Sequence, residues 1–277
     1  MDNLFSPRKR SRPSPVATPW TGENRVHDPS QRILVVGEGD FSLTQSLVRD
    51  DSNLSNLTAT TLRSYRETYS DFPKAIKRMS ELKMRGATIL HDVDGRKLIQ
   101  RHGIRNNYNM IYFTFPFVDG LPSSHPEQAR LVKQFLRSAS NVLSNGGEVC
   151  VVLHVSRKGV GQFERWKVAE AAKSAGLELA GKHVFDSKLF PTYVPSRGDG
   201  KQFNIQGGCC YYFRRPLKTV LSVFRHELQT SLQTNPKAHF AKAIMQQVSE
   251  LDMFEQHRSD RQLALSTARF ADVDSAW

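Results

Sequence analysis

The chain has 277 residues, 39% hydrophobic and 24% charged, enough for one sizeable core with appendages. Its net charge of +12 at pH 7 directs attention to polyanionic partners, and no apolar run reaches the ~20 residues a membrane helix needs. Three cysteines, two of them adjacent as Cys209-Cys210, give neither a disulfide framework nor a paired metal-ligand spacing, so a reducing intracellular compartment and no metal are expected.

Residues 1–31 have the composition of a disordered basic tail, rich in Pro, Ser and Arg. Within it, "PRKRSRP" at 7–13 is a basic run of the nuclear-import kind, although ordinary charged tails carry such runs too. Residues 32–36 predict a buried strand running into Gly37-Glu38-Gly39-Asp40, with a helix from there to about 49. A β-rich segment at 57–62 is followed by a helical stretch with Ile76, Met79 and Leu82 on one face and Lys74, Arg78 and Arg85 on the other. A short strand at 87–90 and a strongly apolar one at 110–115 precede an amphipathic helix over 126–143, stopped by Asn145-Gly146-Gly147. Residues 149–155 predict another buried strand, and 163–175 a helix ended by Gly176. Two last strands, 177–186 and 208–213, are joined by a long polar loop with no helix pattern, and 217–277 read as a polar helical extension.

Strand-helix alternation with short links predicts an α/β, Rossmann-like domain over 32–216: a mainly parallel sheet covered on both faces. A terminal pair without a crossover helix predicts an antiparallel hairpin. That is the plan of the class I methyltransferase sheet, whereas dinucleotide-binding domains end in parallel units.

Ligands of such sheets bind at the carboxyl ends of the strands. Gly37 and Gly39 lie there, after the first strand, and lacking a Cβ they let backbone approach a ligand closely. Ser42 stands where a dinucleotide fingerprint has its third glycine, and Glu38 and Asp40 put negative charge where a pyrophosphate would sit. S-adenosylmethionine, cationic and without phosphate, suits the turn better; an ordinary strand-to-helix connection is the plain alternative. Arg63, after the second strand, replaces the acidic residue that holds ribose hydroxyls and favours a 2′-phosphate, which keeps an NADP-dependent oxidoreductase as a minor rival.

Taken together, several stretches resemble the eukaryotic large-subunit rRNA (uridine-N3)-methyltransferase family. They are Gly37-Glu38-Gly39-Asp40-Phe41-Ser42, Ala59-Thr60-Thr61, Val93-Asp94, "FTFPF" at 113–117, Trp166, and "LFPTYVPSRG" at 189–198, in the family's order across residues 31–216. The chain departs from the family at Arg63, at Thr114 and Phe117 (Asn and His in the family), and at Thr192 (Gly there); of the family's two adjacent arginines only Arg197 is retained.

The resemblance implies S-adenosylmethionine as cofactor, held by Gly37, Glu38, Gly39, Asp40, Phe41, Ser42, Asp92 and Asp94. It implies a uridine of large-subunit rRNA as substrate, met by Thr114, Phe115, Pro116, Phe117, Tyr193 and Arg197, and a nuclear, nucleolar location, with the cytoplasm as the alternative. Phe115 equally suits a core cap, and Tyr193 a loop residue on the sheet edge. Basic charge supports an RNA partner, since residues 63–105 carry eleven Lys or Arg against five Asp or Glu. N3 lies on the Watson–Crick edge, so the base must be unpaired or flipped before transfer. No residue is assigned as the base: Asp94, Asp119 and His125 are candidates, His154 at the end of the fifth strand is as readily structural, and solvent is the alternative. A protein that keeps this fold without turnover, acting as an RNA-binding or ribosome-assembly factor, is the main rival.

Overall fold

Ile33–Val36, four buried aliphatic residues in succession, form β1, and a run buried on both faces is what the centre of a parallel sheet requires. The structure, a computed structural model, describes residues 30–48, 53–155, 161–196, 202–203, 205 and 207–216. The basic run at 7–13, Arg197 and the extension from 217 onward lie outside the described residues.

After β1 come α1 (Ser42–Leu47), β2 (Leu57–Thr60), α2 (Tyr65–Asp71), α3 (Pro73–Met84) and β3 (Thr88–Leu90). A 3₁₀ segment (Gly95–Gln100), β4 (Tyr108–Thr114), α4 (Pro126–Val142) and β5 (Leu143–His154) follow. The chain continues through α5 (Gln162–Arg165), α6 (Val168–Ser174), β6 (Glu178–Val184) and β7 (Gly208–Arg214). The seven strands form one sheet in the order β3-β2-β1-β4-β5-β7-β6, parallel from β3 to β5, with β7 antiparallel to both β5 and β6. This is the class I methyltransferase sheet with its antiparallel terminal hairpin. Among the described residues no helix is long and apolar enough to cross a membrane.

Two apolar layers cover the sheet. Ile111 and Phe113 of β4 and Val149, Val151 and Leu153 of β5 pack with α4 and α6, whereas Met110, Cys150 and Val152 pack with α1 and α3. Strand side chains alternate between faces, so Thr114 and His154, ending β4 and β5, fall on the α1–α3 side.

Three element boundaries differ from the sequence expectation. The helical stretch before β3 is two helices, because Pro73 opens α3 and excludes helical geometry at Phe72, whose φ is −132°. The helix after β5 breaks at Lys167, held left-handed at φ 51°. Strand β5 starts at Leu143, with Asn145-Gly146-Gly147 inside it; β4 and β5 change register there, between Tyr108 and Met110.

Candidate active site

Gly37 leaves β1 at φ +74°, and a Cβ there would lie 2.6 Å from a ring carbon of Phe113. Only glycine meets both conditions, and the bare backbone is thereby open to a ligand. Glu38 follows, 7% exposed. Its N–H donates to the Thr60 carbonyl, and its Oε1 accepts from the backbone N–H and hydroxyl of Thr44 at 3.2 and 3.1 Å. Burial, and secondarily the neighbouring charge of Asp40, push the Glu38 carboxyl up to about 8. Asp40 accepts from the Ser42 N–H at 3.0 Å and is paired with Arg78 of α3. Gly37, Glu38, Gly39 and Asp40 thus line one cleft.

Phe41 and Ser42 stand behind that turn. Phe41 is fully buried and left-handed at φ 61°, capping α1 from within the core. The Ser42 hydroxyl accepts from the Val194 N–H at 2.9 Å, tying the turn to the segment after β6. Asp92 is exposed at φ 57° and is not among the cleft-lining residues, whereas Asp94 is. The Asp94 carboxylate accepts from the Arg96 backbone and Nε, each at 2.9 Å. Burial opposes its ionisation, but the Arg96 bonds outweigh it and hold the carboxyl below its ordinary value. Arg63 lines the cleft with its guanidinium paired to Asp71 and 5.6 Å from the Phe72 ring centre. The one residue favouring a 2′-phosphate is thus engaged by a carboxylate.

The far half of the cleft is aromatic. Thr114, Phe115, Pro116, Phe117 and Tyr193 all line it. The Tyr193 hydroxyl is hydrogen-bonded to that of Thr114, and burial raises its pKa, with the charges of Glu38 and Asp40 adding to the effect. Phe115, at φ 48°, turns its ring toward His154 (4.8 Å), Phe203 (5.4 Å) and Phe185 (5.5 Å). Phe117 is 40% exposed at the mouth. The cleft measures about 1420 Å³, above the ~300–1,000 Å³ usual for a single small ligand, so a nucleoside cofactor and a second ring fit together.

The chemistry of this lining fits S-adenosylmethionine. Asp40, joined by Glu38 once that carboxyl ionises near pH 8, lies beside an exposed glycine backbone and suits a cation better than a phosphate, and Asp94 lines the same cleft. Gln128 and Phe203, which the sequence reading passed over, shape the rest together with Trp166 of the family motif. Fully buried Gln128 accepts from the Val118 N–H at 2.8 Å and donates to the Val118 carbonyl at 3.0 Å. The Trp166 indole N–H donates to the Ser123 carbonyl at 2.9 Å. Between them they fix the loop after β4. Phe203 reaches the cleft through the Ser196–Gln202 bridge.

The family described as "BMT5-like: rRNA (uridine-N3-)-methyltransferase BTM5-like" matches residues 34–197. The Arabidopsis thaliana "Heavy metal-associated isoprenylated plant protein 41" is 29% identical over 231 residues, 79% of this chain and 44% of that protein. This chain therefore spans under half the length of that relative. The "Uncharacterized protein At4g26485" of Arabidopsis thaliana is 32% identical over 187 residues, covering 64% of this chain and 86% of the relative. Among solved structures, the glycopeptide N-methyltransferase MtfA complexed with S-adenosyl-L-homocysteine aligns at TM-score 0.44 and 12% identity, over 69% of this chain and 86% of that one. The family match spans more than half of the chain, which belongs to the BMT5-like rRNA (uridine-N3-)-methyltransferase family.

Proposed function

We propose that this chain methylates N3 of an unpaired uridine in large-subunit rRNA, through the domain at 32–216, and acts in the nucleolus. The cofactor is S-adenosylmethionine, and family membership supports rRNA as the substrate class. One observation carries the finer reading. A single cleft joins the acidic glycine turn of β1 to the polar and aromatic end of β4.

When bound, S-adenosylmethionine supplies an electrophilic methyl group on a positively charged sulfur. Gly37 opens the backbone to it, and Glu38 and Asp40 face its positive charge. Phe115 and Phe117 offer faces for a flipped base, and the hydrogen-bonded Thr114–Tyr193 pair offers its edge a polar contact. The loop fixed by Gln128 and Trp166 holds these groups in register, so positioning is the main contribution of the protein.

The test combines the chain, S-adenosylmethionine and large-subunit rRNA from cells lacking the gene, with nucleoside mass spectrometry as the readout. New 3-methyluridine is expected, and its absence refutes the uridine assignment. A second reading, an RNA-binding factor without turnover, draws on Thr114 and Phe117 standing where the family has Asn and His. Calorimetry separates the two, because micromolar binding of S-adenosylmethionine without product supports the second.

A further inference from the structure

The proposed reaction needs an acceptor for the N3 proton, and the family's histidine position after β4 is Phe117 in this chain. Asp94 is committed to Arg96, and His125 caps α4 through its Nδ1, which accepts from the Glu127 N–H at 3.2 Å. Neither is placed to serve. Asp119 lines the cleft from the exposed loop after β4.

His154 is placed differently. It ends β5, the strand beside β4, and Thr114 pairs with Val152 in that register. The two side chains lie on one face, offset by one strand spacing (~4.8 Å) and two residues (~6.6 Å), about the width of a base. The imidazole lines the same cleft and lies 4.8 Å from the Phe115 ring and 6.1 Å from the Phe203 ring. Its backbone is held on both sides. The N–H donates to Gln162 Oε1 at 2.8 Å, and the residue pairs with Gly208 of β7. A Cβ at Gly208 would come within 2.9 Å of the Phe115 ring, so the wall is tightly assembled. Among the described residues the ring nitrogens have no hydrogen-bond partner.

We propose that the ring of His154 accepts the N3 proton of the acceptor uridine, an assignment that rests on the uridine-N3 reading. As N3 gives its proton to the ring, the nitrogen's electron pair forms the new bond to the methyl carbon. The methyl–sulfur bond breaks with its electrons kept by sulfur, leaving a neutral thioether, and the imidazolium then returns its proton to water. Burial lowers the His154 pKa below its ordinary value, so the ring is neutral at pH 7 and able to accept. The groups packed against it, Phe115 of β4, Phe203 and the Gln162 amide, are not titratable; Tyr193, Asp119, Glu38 and Asp40 are ionisable groups elsewhere in the lining of the cleft.

The experiment follows 3-methyluridine formation on rRNA against pH for the wild type, His154→Gln and His154→Ala, with calorimetry of S-adenosylmethionine binding alongside. The expected wild-type profile has an acidic limb below the ordinary histidine range. Both variants lose roughly 10²–10⁴-fold in rate and lose that limb, keep cofactor affinity, and the alanine variant is partly rescued by free imidazole. A glutamine variant with wild-type rate and limb overturns the proposal, as does a wild-type profile with no acidic limb. A wild type that makes no 3-methyluridine overturns the uridine-N3 reading, and the His154 role with it.

Discussion

The Phe113 ring occupies the space a side chain at Gly37 would need, 2.6 Å from the ideal Cβ. Phe113 belongs to β4 and Gly37 follows β1, so packing between two central strands sets the shape of the cofactor turn. Gly37→Ala carries both that clash and the strain of φ +74°. It is expected to cost about 1–3 kcal/mol in denaturant unfolding and to abolish S-adenosylmethionine binding. At Gly39 the added Cβ meets the Phe72 ring at 3.3 Å without a positive φ. Gly39→Ala should therefore fold nearly normally, and a bulky residue there should remove cofactor affinity with less loss of stability than Gly37→Ala. Retained affinity in calorimetry would refute this placement of the cofactor.

Glu38 gives the site a pH signature. Its carboxyl titrates near 8 in the folded protein against 4.5 ordinarily, so the folded state holds the extra proton between those values. Stability then falls as pH rises from about 4.5 to 8, by on the order of 5 kcal/mol in full. Glu38→Gln keeps the acceptor for Thr44 and removes the titration. Its stability should match wild type near pH 4 and exceed it at pH 9. A cationic ligand favours the ionised form, so wild-type affinity for S-adenosylmethionine should rise from pH 6 to 8.5 while that of Glu38→Gln stays flat. Parallel wild-type and variant curves in both measurements would show that Glu38 does not titrate here.

Much of this was legible in sequence because buried parallel strands are written as uninterrupted apolar runs, as in Ile33–Val36, and glycines mark the turn that follows. The missing crossover helix before β7 likewise announced the hairpin. Features fixed by tertiary contact were not legible. Gln128 reads as an ordinary polar residue in the first turn of α4, and only the fold shows its amide bonded to the loop before it. Lys167 is left-handed although its sequence offers no glycine. Arg63 reads as a phosphate ligand until Asp71, two turns along α2, is seen to pair with it.

Gln128→Leu tests the loop after β4. The substitution keeps the bulk but strands the Val118 N–H and the carbonyls that the amide serves. An unpaired buried polar group costs about 1–3 kcal/mol, so a loss of several kcal/mol is expected in denaturant unfolding. Under the proposed function this loop carries the half of the cleft that meets the base, so KM for RNA should rise while S-adenosylmethionine affinity stays within about twofold. Equal damage to both would mean that the two halves are not held separately.

On α3, Arg78 and its neighbours Lys74 and Lys77 carry like charge but different duties. Arg78 is paired with Asp40, both side chains mostly buried at 14% and 12% exposure. Arg78→Met leaves Asp40 uncompensated beside Glu38, a loss of roughly 3 kcal/mol in unfolding. Arg78 also helps to hold the Glu38 carboxyl down, so the variant should move the pH midpoint of the preceding affinity curve upward. Lys74 and Lys77 are exposed and rim a hollow of about 470 Å³ on the outer surface, with Lys77 3.9 Å from Glu81. Exposed pairs of this kind contribute little, so Lys74→Gln with Lys77→Gln should leave stability within about 0.5 kcal/mol. If this face meets rRNA phosphates, the double variant should weaken RNA binding and lower the slope of log affinity against log salt by about 1.4–1.8. An unchanged salt slope would place the RNA on another face of the protein.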